Sequence, residues 1–127
     1  MDPHPYDIQL DSAQRLMTIT FKSVFWDDSV SRRFVGDCLG AAVALAAQGE
    51  HVILVDLRTA VLQSQVVYEK MKALIGGATA RRVALVATSP LARMQTKRLQ
   101  LRDNIVLFAS MDEARDWLFA DEARVAA

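Results

Sequence analysis

The chain has 127 residues, of which 52% are hydrophobic and 24% charged, a balance that fits one soluble globular domain and lies above the range of a disordered segment. Fifteen basic residues meet fifteen acidic ones, so the formal net charge is zero and no overall field steers the molecule towards nucleic acid or an anionic membrane. Cys38 is the only cysteine, which excludes an internal disulfide, and the longest small-apolar run, Cys38 to Ala47, falls short of the ~20 residues that span a bilayer.

The opening "MDPHPYDIQL" lacks the basic and apolar regions of a secretory signal, so a cytoplasmic address is expected. "YDIQL" and "RLMTITF" alternate apolar and polar residues around "DSAQ", which predicts a β-hairpin. After "WDDS" the apolar positions Val30, Phe34, Cys38, Ala41 and Leu45 recur at helical spacing, with Asp28 or Ser29 as the expected cap and Gly49 just past the end. "HVILVDL" is a continuous apolar strand of the kind buried on both faces of a parallel sheet.

The helix "SQVVYEKMKALIGG" follows, with Val67, Met71, Leu74 and Ile75 on one face and Gly76 and Gly77 stopping it. The alternation then repeats as strand "RVALVAT", helix "SPLARMQTKRLQLR", strand "NIVLFA" and helix "SMDEARDWLFA". Ser89 with Pro90 supplies a cap and a first-turn proline, and Ser110 with Glu113 a capping box. The order β-β-α-β-α-β-α-β-α predicts an α/β fold: a mixed, mostly parallel sheet of about five strands, the first antiparallel, with helices packed on it. One domain over 1–127 is expected, with an ordered core of about 6–120 and "DEARVAA" as a tail.

Open α/β sheets tend to bind ligands beyond the carboxyl ends of their strands. That selects Asp56, Arg58, Thr59, Gln63 and Ser64 after one strand, and Ser89 and Arg93 after the next. Asp56, Arg58, Thr59, Ser89 and Arg93 form a candidate set for an anion or other small ligand, with arginines to pair a phosphate or carboxylate. The plainer reading makes Ser64 and Ser89 N-caps and pairs Asp56 with Arg58.

From Lys70 to Arg102 the chain carries eight cations and no acid. Arg93, Lys97, Arg98 and Arg102, spaced by fours, form a candidate basic face for an acidic protein, anionic lipid or RNA, against the plainer reading of a solvated surface. No aromatic residue from Ala73 to Asn104 offers a stacking platform, which argues against nucleic acid.

Gly36, Gly40, Ala44 and Ala47 make a small-residue stripe, read as close approach of another backbone within the molecule or as a homodimer seam. Trp26 and Trp117 are expected as core or rim anchors, and Cys38 as a core side chain. His51 opens its strand at the edge opposite Ser64 and Ser89, and His4 lies in the terminus, so neither is placed as a base. Metal-ligand spacing and phosphate-cradling glycine runs are absent from the sequence, so no metal and no cofactor is expected.

The stretch "VILVDLRTAVLQSQVVYEKMKALI", joined to that element order and to "FASMDEARDWL", resembles the STAS superfamily, the sulfate transporter and anti-sigma-factor antagonist fold, in its SpoIIAA-like branch, from about Tyr6 to Ala120. In that branch a strand ending in Asp-Leu leads to an Asp-Ser-Ser-Gly run whose serine is phosphorylated by a partner kinase. Asp56 and Leu57 match the strand, but "LQSQ" stands at the switch, so only Ser64 remains as the implied phosphoacceptor, with Arg58 as a partner for its phosphate. The branch also resembles the CRAL-TRIO lipid-binding fold, which implies an apolar ligand pocket beneath the helices. The resemblance leads to a non-catalytic protein-interaction or regulatory module, with a small-molecule or lipid carrier as the alternative and a hydrolase using Ser64 or Ser89 last.

Overall fold

The hairpin strands β1 (Tyr6–Asp11) and β2 (Leu16–Phe21) pair antiparallel, setting Tyr6 against Phe21, Ile8 against Ile19 and Leu10 against Met17. Because side chains alternate with period two, this register puts every apolar residue of the pattern on one face. In the turn the Asp11 carboxylate accepts from the Gln14 N–H at 3.1 Å, and Arg15 takes a φ of +52°. The structure, a computed structural model, describes residues 5–23, 25–61 and 63–120. His4, Leu62 and the tail "DEARVAA" lie outside the described residues.

The remaining elements are α1 (Asp28–Ala46), β3 (Val52–Asp56), α2 (Gln65–Gly76), β4 (Arg82–Val86), α3 (Pro90–Thr96), a 3₁₀ turn (Lys97–Leu99), β5 (Ile105–Phe108) and α4 (Met111–Leu118). The five strands form one sheet in the order β1-β2-β3-β4-β5, with every pair after the hairpin parallel. The expected α/β architecture, element order and single antiparallel strand are therefore all present. Right-handed crossovers that step one strand at a time in one direction carry their helices to the same face. Accordingly α1, α2 and α3 share one apolar cluster with Met17, Ile19, Ile53, Val55, Val83 and Leu85.

Helix α4 follows the last strand and covers the other face, where Ala114 and Leu118 meet Leu16, Val52, Leu54, Ala84 and Val86. Strands β3 and β4 are buried on both faces, which is why their sequences lack polar alternation. At the end of the first cluster Tyr6, Phe21, Trp26 and Phe34 interlock, the Trp26 and Phe34 ring centroids lying 4.9 Å apart. Trp26 is thus a core anchor, while Trp117 packs half-buried against Phe108 on the α4 face.

Three local expectations change. Helix α1 is capped by Asp27, whose carboxylate accepts from the Val30 N–H at 2.9 Å, because Asp28 turns outward to Arg32 and Lys70 at 2.8 Å each. The helix expected through Arg102 stops at Thr96, whose hydroxyl donates back to the Ala92 carbonyl at 2.6 Å. The 3₁₀ turn then drops Leu99 into the core, leaving residues 100–104 to reach β5. Finally, the Gly36, Gly40, Ala44 and Ala47 stripe is exposed, and nothing lies within 4 Å of a Cβ built on Gly36 or Gly40. The buried stripe of α1 is Ser31, Phe34, Cys38 and Leu45, so among the described residues no backbone approaches Gly36 or Gly40 closely.

Candidate functional site

The parallel register aligns Thr20, Asp56, Val86 and Phe108 across the sheet, so the exits of β2, β3, β4 and β5 gather along one rim with the starts of all four helices. Each helix start has a side-chain cap. Ser64 is half-buried and accepts from the Val67 N–H at 3.3 Å, Ser89 accepts from the Ala92 N–H at 3.2 Å, and Ser110 from the Glu113 N–H at 3.1 Å. Both rim serines of the candidate set therefore carry the cap geometry.

Asp56 shares its strand parity with Val52 and Leu54 and so turns to the α4 face, where it is nearly buried. Its carboxylate accepts from the Arg58 backbone N–H at 3.0 Å and from both Nε and Nη2 of Arg58 at 2.9 Å. Burial pushes the Asp56 carboxyl up, but the side-chain and backbone hydrogen bonds from Arg58 outweigh it and hold the group below the usual carboxylate range. The guanidinium of Arg58 is committed to this bidentate pair.

The loop after β3 is stapled to its neighbours. The Thr59 hydroxyl donates to the Phe21 carbonyl at 2.8 Å, the Ser23 hydroxyl donates to the Thr59 carbonyl at 2.6 Å, and the Trp26 N–H donates to Gln63 Oε1 at 2.8 Å. Arg93, half-buried on α3, donates to the Ala87 carbonyl at 3.2 Å. So the structure joins Asp56 to Arg58, ties Thr59 to the β2 exit, and keeps Ser89 with Arg93 on α3. The strand order also shows no reversal among β2 to β5, the feature at which such sheets open a ligand crevice.

The cation-rich stretch does not form one patch. Lys70 pairs with Asp28 at 2.8 Å, and Arg81 donates to the Leu118 carbonyl. Arg82 is buried under α4, and Arg102 donates to the Ala78 carbonyl at 2.7 Å. Side chains along β4 alternate between the two faces of the sheet, which takes Arg82 to the α4 face, and the four-residue spacing of Arg98 and Arg102 loses its meaning once the helix ends at Thr96. Arg93, Lys97 and Arg98 remain together around the end of α3, with Lys97 and Arg98 exposed.

Between α2 and α3 a cleft of about 440 Å³ brings Ser89 and Arg98 together with Gln63, Tyr68 and Gln95. Burial pushes the Tyr68 hydroxyl above its ordinary pKa, opposed by the charge of Arg98 and assisted by that of Glu69. Sequence reasoning missed the exposed apolar residues of this side of the molecule: Leu91, more than half exposed, and Val61, 37% exposed, line the cleft, while Phe25, Val66 and Met94 are each more than half exposed outside its lining. The signal was present in Val66, which stands off the Val67, Met71 and Leu74 stripe of α2. A second, apolar cavity of about 230 Å³ lies between α1, α2 and the sheet; the resemblance implied an apolar pocket beneath the helices, but no residue of the sequence singled out this one.

No histidine lies beside either rim serine among the described residues. His51 precedes β3 and is buried at the opposite edge, about 16 Å from Asp56 by strand rise. Burial, with a smaller contribution from Asp37, pushes the Cys38 thiol up to about 12, so it stays protonated at neutral pH. Among the described residues no group of three His, Cys, Asp or Glu side chains is placed to hold a metal ion, and no helix is long and apolar enough to cross a membrane.

No family model matches this chain, and no curated relative does. Solved structures do. An uncharacterised protein of the DUF3478 family with a SpoIIAA-like fold, from Shewanella loihica, superposes with a TM-score of 0.68 at 19% identity, covering 93% of this chain and 97% of its own. An anti-sigma factor antagonist from Mycobacterium paratuberculosis gives 0.62 at 16% identity, covering 94% and 98%. The anti-sigma factor antagonist SpoIIAA in its unphosphorylated form gives 0.55 at 16% identity, covering 87% and 95%. At these identities the likeness speaks for architecture alone, and the architecture is a SpoIIAA-like fold.

Proposed function

We propose that this SpoIIAA-like chain works as one STAS-like unit that binds a protein partner through its strand-exit rim and does no chemistry of its own. The observation that carries the reading is a set of exposed apolar side chains at the helix starts along that rim. Phe25, Val66 and Leu91 stand in solvent at or just before the starts of α1, α2 and α3, with Met94, Arg93, Lys97 and Arg98 farther along α3 and its 3₁₀ turn. Apolar anchors within a charged border are the composition of a protein-docking surface. Two structural neighbours named as anti-sigma factor antagonists support a partner that is itself a protein. A cytoplasmic address fits the reading, since a reducing compartment keeps the Cys38 thiol free.

Ser64 is the phosphoacceptor candidate in this scheme. A phosphate there would sit at the start of the 12-residue helix α2 and change the charge of the docking edge. The exposed small-residue stripe of α1 leaves that helix open to a second copy of the chain. Sedimentation velocity on the purified protein reads that arm directly.

The test is capture from lysate by immobilised protein, followed by measurement of Kd with the purified partner. Val66→Asp combined with Leu91→Asp is expected to weaken that partner at least about tenfold, the equivalent of ~1.4 kcal/mol. Leu10→Asp, an exposed apolar change at the opposite edge, is expected to leave it unchanged. Ser64→Asp keeps a capping side chain and adds the charge; a switch would weaken the same partner while Ser64→Ala would not. Equal capture by the rim variant and Leu10→Asp would remove the rim from this role.

A further inference from the structure

We propose that the cavity between α1, α2 and the sheet is a binding site for a neutral apolar molecule of about nine carbon atoms carrying one small polar end. The inference goes beyond the rim and does not depend on it. Apolar periodicity puts Val67, Met71, Leu74 and Ile75 on the core face of α2, yet only Val67 is fully buried. The other three line an unfilled space whose floor is the sheet itself, including Met17, Ile19, Ile53 and Val55.

The space exists because the two helices meet closely at one end only. At the rim end the Lys70 ammonium donates to Asp28 at 2.8 Å and to the Ser31 hydroxyl at 3.2 Å, pinning α2 to α1. Farther along, α1 offers Ala42 and Ala46 to the gap and the end of α2 is followed by Gly77 and Ala78, so nothing bulky fills it. Protein interiors are ordinarily packed to the density of organic crystals, and voids larger than a water molecule are few.

Size and polarity define the occupant. An apolar cavity of roughly 150 Å³ binds benzene, so the ~230 Å³ here scales to about nine carbons, too small for a peptide helix. No charged side chain lines it, and an ionised group placed inside would go unpaired. The exposed Leu39 and Val43 flank the opening, and Thr79, also exposed, offers a hydroxyl there for the polar end. A single-chain alcohol satisfies every one of these conditions, and the corresponding carboxylate does not.

Methyl-labelled protein titrated with 1-octanol and, separately, with octanoate tests the site by NMR. 1-Octanol is expected to give saturable shifts at Met17, Ile19, Ile53, Met71 and Ile75, with Leu54 and Leu118 on the α4 face unmoved, and octanoate to bind at least tenfold more weakly. Ala42→Leu fills the gap and is expected to abolish the 1-octanol shifts with an equal or higher Tm; Ala46→Leu, at the opening, decides the point if the first variant fails to fold. Thr79→Val is expected to weaken 1-octanol about threefold. No saturable shift, shifts spread over both faces, octanoate binding as tightly as 1-octanol, Thr79→Val leaving 1-octanol affinity unchanged, or unchanged binding in a folded cavity-filling variant would each overturn the proposal.

Discussion

Asp56 receives three hydrogen bonds from a single residue, the backbone N–H and two guanidinium nitrogens of Arg58. Its lowered folded pKa sets the sign of a pH effect: the stabilisation is complete above the ordinary carboxylate value and is lost as pH falls through the lower folded value. Arg58 is 46% exposed at its side chain, so solvent screens the pair and its worth is that of good hydrogen bonds. Asp56→Ala is expected to cost about 1–2 kcal/mol at neutral pH, with the gap to the parent shrinking in acid; urea unfolding at both pH values reads it. The pairing was legible in the sequence because two residues apart on a turn is within reach of an arginine fork. The buried, unpartnered Nε2 of His51 was not, since nothing local distinguishes a buried strand-opening histidine from an exposed one.

Helix α4 owes its stability at its end to residues far away in the sequence. Arg82, buried at the start of β4, donates to the carbonyls of Trp117 and Ala120 and lies 5.2 Å from the Trp117 ring centroid, while Arg81 donates to the Leu118 carbonyl. The Trp117 and Leu118 carbonyls belong to the last turn, and Ala120 follows the cap, where acceptors lack helical partners and positive charge meets the negative end of the dipole. Arg82→Met keeps the stem over Trp117 and removes the donors. It is expected to cost about 1–3 kcal/mol and to speed amide exchange in α4 before any other helix. Sequence spacing assigned Arg81 and Arg82 to a surface patch; strand parity turns Arg82 inward with Ala84 and Val86, a fact that required the sheet to have a second covered face. The same limit applies to α3, whose cap and proline were readable at Ser89 and Pro90. Its early end was not, because the pull on Leu99 comes from a core assembled by other elements.

Across the whole molecule two apolar clusters share the same central strands. In β3 Leu54 serves the α4 face and Val55 the face of α1 and α2, and in β4 Ala84 and Leu85 divide in the same way. Neither face can open without exposing strands the other needs, so unfolding is expected to be one cooperative transition. Leu54→Ala and Leu85→Ala, on opposite faces, should each cost ~2–5 kcal/mol. Trp26 reports one face and Trp117 the other, so within each of the Trp26→Phe and Trp117→Phe variants the fluorescence of the remaining tryptophan should give the same denaturant midpoint as far-ultraviolet circular dichroism of that variant; separated midpoints within one variant would contradict the shared core. The amino-acid order by itself determined the element sequence, the hairpin, the parallel strands and three of the four helix caps, because each depends on periodicity or on residues a few positions apart. Tertiary structure alone decided that α4 takes the opposite face, that the cations scatter, which apolar side chains stay exposed and where α1 and α2 leave a cavity between them. Those outcomes arise where elements distant in the chain meet, and no local pattern encodes the space left between two helices.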